Sequence, residues 1–201
     1  LDSLRIAKVM GAGRVVAHPG YVSGVTRQIA IELALDTMLE VVRQADEQAL
    51  SEVTLCPEVL GKTNQLGTLE EVIVLCGLDE RLIPCIDFGH MHAITHGGMN
   101  TKEDFVKAFR FVEKHLGTER MKKVHIHFSR IEFGKNGEKK HWSYTDTQFG
   151  PDFTPLAKAI LELGIEPVII CESRGTMAED ALRLKKLYED NEKGLLPGNL
   201  K

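Results

Sequence analysis

Cysteine is scarce. The 201 residues hold 4 Cys, and no pair stands in a C-x-x-C spacing, which excludes a disulfide-scaffolded fold. Cys56, Cys85 and Cys171 sit in apolar, strand-like runs and Cys76 in a helical one. They read as buried reduced thiols, which suits a cytoplasmic protein. No apolar run approaches the roughly 18 residues of a membrane span, so no membrane partner is expected. Neither sign of charge dominates: 25 Lys plus Arg against 29 Asp plus Glu leaves a formal net charge of −4. Such mild acidity supplies no global field for nucleic acid, so any nucleic-acid contact has to be local. No G-x-G-x-x-G or Walker sequence follows an apolar run, which removes support for a nucleotide-binding sheet. With 43% apolar and 27% charged residues, the chain is neither collagen-like nor disordered.

Short apolar runs alternate with amphipathic ones. The strand candidates are Arg14–Ala17, Val53–Cys56, Leu82–Ile86, Lys123–Phe128 and Pro167–Cys171. Between them, Thr68-Leu-Glu-Glu71 and Thr176-Met-Ala-Glu179 have the capping-box pattern. Thr101 with acids in the next turn starts a helix that Gly117 ends, and Phe105, Phe109, Val112 and Leu116 give it one apolar face. Thr154-Pro155 reads as an N-cap followed by Pro at the first helical position. The longest helix spans about Thr26 to Ala49. Ser129 to Phe153 reads as one long loop rich in Gly, Lys, Asp and Thr, and the tail after Tyr188 as weakly patterned. Strand–helix repetition implies a parallel sheet with helical crossovers, either doubly wound or part of a closed barrel. No secretory signal is visible. The opening "LDSLRIAKVMGAGRVV" reads as the last turns of a helix running into a strand, so an upstream segment is expected.

Each strand candidate ends in residues able to bind a metal. They are His18 in "AHPG", Glu58 in "CPE", Asp87 and His90 in "CIDFGH", His125 and His127 in "VHIHFS", and Glu172 in "CES". A single His or Glu at a strand end is most often structural. Five consecutive strand ends with the same property point to one site, because α/β folds build sites where strands finish. Carboxylates and imidazoles converging there suit Zn²⁺, Mn²⁺ or a related ion. His127 is two residues from His125 and points to the same side, as an additional or alternative ligand. His92, His96 and His115 have no such support.

"HPG", "PE…GKTNQLGTLEEV", "CIDFGHMHA", "HIHFS" and "ICES" resemble the strand-end motifs of the endonuclease IV family (AP endonuclease family 2) in the xylose isomerase-like TIM-barrel superfamily. The likeness runs in order from about Ser3 to Tyr188. It implies a (β/α)8 barrel with about five of its eight units in this chain, residues 1–201 forming one domain, the C-terminal part of the barrel, without the N-terminal part. Two sheet edges would then be open, and self-association is one way to cover them. By resemblance, Glu58, Asp87, His125 and Glu172 surround one metal. His18 and Glu58 hold a second, and His90 and His141 a third. The family carries an Asp two residues before that last His, where this chain has Lys139. An ammonium cannot replace a carboxylate ligand, and Glu138 substitutes only if the loop is shifted.

The implied activity is a metal-dependent phosphodiesterase, a hydrolase of DNA repair that cleaves DNA at apurinic/apyrimidinic sites by a metal-bound hydroxide. Two or three Zn²⁺ ions would serve it, with Glu58 and Glu172 catalytic. Lys139 and Arg174 would bind substrate phosphate, Lys135 and Lys140 would lie near the backbone, and Trp142 would either stack on a base or pack the loop. The alternative within the superfamily is a sugar isomerase or epimerase using one Mn²⁺ or Mg²⁺ and a small sugar substrate. A non-catalytic barrel is the third reading.

Overall fold

The computed structural model describes residues 1–195. Helix α1 (Asp2–Met10) leads into β1 (Arg14–Ala17), and α2 (Arg27–Glu47) leads into β2 (Thr54–Pro57). Then follow α3 (Leu69–Cys76), β3 (Cys85–Asp87), α4 (Phe88–Ile94), α5 (Lys102–Leu116), α6 (Thr118–Lys122) and β4 (His125–Phe128). A hairpin of β5 (Arg130–Gly134) and β6 (Gly137–Trp142) precedes α7 (Phe153–Leu163), β7 (Val168–Cys171) and α8 (Met177–Leu195). All five expected strands are present. Among the described residues no helix is long and apolar enough to cross a membrane.

β1 pairs parallel with β2, β3 with β4, and β4 with β7. A parallel bridge from Glu58 to Cys85 joins β2 to β3. The spatial order is therefore the chain order, with no reversal. A doubly wound sheet reverses at a switch point and a barrel does not, so the strands form an arc of a TIM barrel. Ile86, Ile126 and Phe128 face the helices and are buried with Phe88, Phe105 and Phe109. The rings of Phe105 and Phe109 meet Phe88 edge-on at 4.9 and 5.5 Å. The alternate residues Cys85, Asp87, His125 and His127 turn to the inner face, as strand pleating requires. Val168 and Ile170, in register with His125 and His127, lie 41% and 46% exposed on that face.

Four local expectations change. Ser129 to Phe153 holds a hairpin, because Ile131 and Phe133 alternate with polar residues and Lys135-Asn136 turns into Gly137 at φ +91°. The α7 N-cap is Asp152, whose carboxylate accepts from the Thr154 N–H at 2.8 Å. Pro155 is then the third helical residue, tolerated where N–H groups have no intrahelical partner. The Thr176 hydroxyl donates to Asp180 at 3.0 Å. Finally, α8 continues past Tyr188 to Leu195, and the rest of the tail lies outside the described residues.

The hairpin is clamped onto the loop after β2. The Glu138 N–H donates to the Gly61 carbonyl at 2.7 Å. A Cβ at Gly137 would stand 2.0 Å from that carbonyl oxygen, so only glycine fits. Gly137→Ala should cost about 2 kcal/mol or more, measurable by urea denaturation. Asp180 is fully buried and accepts from the Tyr144 N–H at 2.7 Å and from Arg183 at 2.7 Å. Burial alone would raise its pKa, but these hydrogen bonds hold it below the usual carboxylate range. A depressed folded pKa gives stability that is present above the ordinary carboxylate pKa and lost as pH falls through the folded value. Asp180→Asn should therefore lower the melting temperature at neutral pH and flatten its acid limb. An unchanged acid limb would contradict this.

Candidate metal centre

The inner-face side chains meet at the carboxyl ends of the strands. Glu58 follows β2, Asp87 ends β3, His127 lies on β4 and Glu172 follows β7. One ligand atom from each lies within 4.8 Å of all the others. Glu58 is 2% exposed. Its Oε1 accepts from His127 Nδ1 at 2.8 Å, and its Oε2 lies 3.1 Å from His18 Nε2. His127 Nδ1 is also 3.2 Å from Glu172 Oε1. Asp87 caps α4, its Oδ1 accepting from the His90 N–H at 2.7 Å. Asp87 Oδ2 is buried with no hydrogen-bond partner. Buried polar atoms are almost always satisfied. An orphaned carboxyl oxygen inside a carboxylate–imidazole ring fits a divalent cation.

His127 takes the place in this ring that the sequence reading gave to His125. Both rings point inward, 5.1 Å apart. Period-two alternation puts them on one face but does not say which stands level with Glu58 and Glu172. His125 lies one layer deeper, grouped with Cys85 and His127, its Nδ1 3.5 Å from the Arg14 guanidinium.

A second donor group adjoins the first. His90 Nδ1 donates to the Val59 carbonyl at 2.9 Å, which leaves Nε2 with its lone pair when the ring is neutral. That Nε2 is 3.3 Å from His141 Nε2, whose ring Nδ1 is 2.8 Å from Ser129 Oγ. Two imidazole nitrogens bound tetrahedrally to zinc stand about 3.3–3.4 Å apart, given Zn–N of about 2.0–2.1 Å. Glu172 closes a compact donor group with these two histidines, and Glu138 stands beside them as a further acid, with oxygens 3.6 Å from His90 Nε2 and 3.5 Å from His141 Nε2. The shift that this requires is a β-bulge. Glu132 pairs with Lys140 and Phe133 with Glu138, so Lys139 is the extra residue. The bulge brings residues 138 and 141 to one face.

Charge follows geometry. Burial would raise the Glu58 pKa, but the His127 and His18 hydrogen bonds hold it at about 2. Burial lowers the His127 and His141 pKa values, and acidic neighbours outweigh this and raise both. Glu58 raises that of His18. Burial, His127 and Arg14 push His125 down to about 4. Burial, then Asp87 and Glu58, push Glu172 up against His127 and His141.

The other sequence candidates stand apart. Lys139 turns across the hairpin to Glu132 at 3.7 Å. Lys140 covers one face of Trp142 at 3.4 Å, and Phe149 stacks on the ring at 5.1 Å, so Trp142 packs the loop. Arg174 is exposed on the loop after β7. His92 is buried against Phe133, and His115 bonds to the Phe111 carbonyl on α5.

A family model described as xylose isomerase-like TIM barrel matches residues 1–188. The chain belongs to that family. An uncharacterized protein of Methanocaldococcus jannaschii is 32% identical over 189 residues, 93% of this chain and 67% of its own length. The Probable endonuclease 4 of Staphylococcus saprophyticus is 26% identical over 136 residues, 66% of this chain and 44% of its own length. The chain thus spans less than half of the endonuclease relative. Among solved structures, an L-ribulose 3-epimerase aligns with TM-score 0.56 at 16% identity, covering 92% of this chain and 57% of that one. Mannonate dehydratase from Streptococcus suis aligns at 0.59 and 13%, covering 96% and 70%. These two likenesses show the fold of this xylose isomerase-like chain.

The two histidines of β4 can be separated by experiment. His127→Ala should weaken divalent-metal affinity more than about 100-fold, and His125→Ala less than about tenfold. A chelator competition titration reads both. Metal in hundredfold excess over its Kd should add about 2.7 kcal/mol to stability in the unsubstituted protein and not in His127→Ala.

Proposed function

We propose that this chain carries the metal centre of a phosphodiesterase that cleaves DNA at abasic sites. The observation behind this reading is the second donor group. Beyond Glu58, Asp87, His127 and Glu172, the site continues into His90, His141 and Glu138 on one side and His18 on the other. A single ion needs only the first four. The endonuclease relative adds support, and no sequence departure remains at the third position once Glu138 takes the place of the family's Asp.

Bound divalent ions, zinc in this reading, would supply Lewis acidity to a phosphoryl oxygen and ease deprotonation of water. The chain's own groups do the rest. Glu58 stays ionised because His127 and His18 donate to it. Glu172 has its carboxyl pushed up by burial, which makes it the stronger base and the group to take a proton from attacking water. His90 is fixed in one tautomer by Val59.

A metal-dependent sugar isomerase or epimerase is the second reading. The hairpin lysines favour it: Lys139 pairs with Glu132 and Lys140 covers Trp142, so each already has a partner within the hairpin. Both readings use Glu58, Asp87, His127 and Glu172, and they part on the number of ions.

Elemental analysis of the purified protein tests this. Two or three zinc ions per chain are expected, with Glu138→Gln losing one, together with cleavage of an abasic-site duplex. One manganese or magnesium ion, insensitive to Glu138→Gln, would favour the isomerase.

A further inference from the structure

The loop from Gly61 to Gly67, between Glu58 and α3, is fixed at many points. Its Thr63 N–H donates to the Asn136 carbonyl at 3.3 Å, and its Asn64 carbonyl accepts from the Val22 N–H at 2.8 Å. Arg27 donates to the carbonyls of Thr63 and Gln65 at 3.1 and 2.9 Å while forking onto Glu71 at 2.5 and 2.9 Å. The Lys62 N–H donates to Gln65 Oε1 at 3.0 Å. Lys62 also forms a backbone bridge with Gly137.

From this loop the Lys62 side chain runs to the rim of the second donor group. Its Nζ stands 4.0 Å from Glu138 Oε2, and the side chain is 44% exposed. That distance is an ion pair but too long for a hydrogen bond, so the three N–H donors of the ammonium are not spent on Glu138. On the hairpin, Lys140 covers the Trp142 ring and Lys139 pairs with Glu132 at 3.7 Å, away from the donor group. Lys62 is thus a pinned cation with free donors beside His90, His141 and Glu138.

We propose that Lys62 binds a non-bridging phosphate oxygen of the substrate. This rests on the phosphodiesterase reading and gives it an anion-binding group that neither composition nor spacing revealed. A charge-assisted hydrogen bond from an ammonium to a phosphate is among the stronger polar contacts, and its loss should weaken binding about tenfold or more.

The test is calorimetric titration of inorganic phosphate into the zinc-loaded full chain, with zinc content measured in parallel. Lys62→Gln should keep its zinc and lose about tenfold or more in phosphate affinity. Lys62→Arg should recover most of that loss. For an abasic-site duplex, Lys62→Gln should also lower the salt slope of binding by about one contact. Unchanged phosphate affinity in Lys62→Gln overturns the proposal. So does a loss of zinc in step with affinity, which would make Lys62 a support for Glu138. If phosphate binding depends on Lys62 while the unsubstituted protein cleaves no abasic duplex, Lys62 keeps its role and the DNA reading fails.

Discussion

Everything at the inner face depends on keeping carboxyl groups buried at the ends of parallel strands. Removing an ion from water costs several kcal/mol unless partners replace the lost hydration. Glu58 has both oxygens engaged by imidazoles. Asp87 has one oxygen engaged by a backbone N–H, and the other accepts no hydrogen bond, with His90 Nδ1 at 3.4 Å. The helix-side core, with Phe88, Phe105 and Phe109 fully buried, stabilises the arc enough to carry this strain on its other face. Strand pleating makes the division possible: Ile86 and Ile126 go to the helices while Asp87 and His127 go inward. One strand therefore serves stability and chemistry at once.

The hairpin docks on the loop after β2 through a close backbone crossing. Where Gly61 and Gly137 cross, a Cβ on Gly137 would meet the Gly61 carbonyl and one on Gly61 the His90 ring and Glu138 Cβ, so neither admits a side chain. That crossing holds Glu138 beside His90, and the bulge at Lys139 rotates His141 onto the same face. A hairpin of perfect register would put residue 140 there instead. The departure from the family's pattern at Lys139 is thus a shift of one residue in which position supplies the acid.

The strand ends were readable because each ends in a ligand-type side chain, and that pattern survives without knowing any register. What was not readable depended on position along a strand or across a hairpin. His125 and His127 obey the same parity, and only the height of β4 against β2 and β7 decides between them. Ser129 to Phe153 lost its strands because its polar composition outweighed the Asn136-Gly137 turn. Asp152 won the α7 cap over Thr154 because its carboxylate reaches the Thr154 N–H while Pro155 sits comfortably in the first turn. Lys62 lies in the quoted motif "GKTNQLGTLEEV", but its role was not readable, since its reach to Glu138 exists only after the loop has docked on the hairpin.

Charge balance ties the number of ions to the state of the histidines. Four carboxyl groups converge, from Glu58, Asp87, Glu138 and Glu172. One divalent ion offsets half of that charge when all four are ionised. Lys62 beside Glu138 and imidazolium groups share the remainder, and the pKa values of His18, His127 and His141 are all raised by these acids. Further divalent ions would displace those protons, because an imidazole nitrogen must be free of its proton to bind metal. The same constellation can thus hold protons or cations in exchange. Metal loading should accordingly release protons and weaken as pH falls. The steepness of that dependence reports how many imidazoles give up a proton as metal binds.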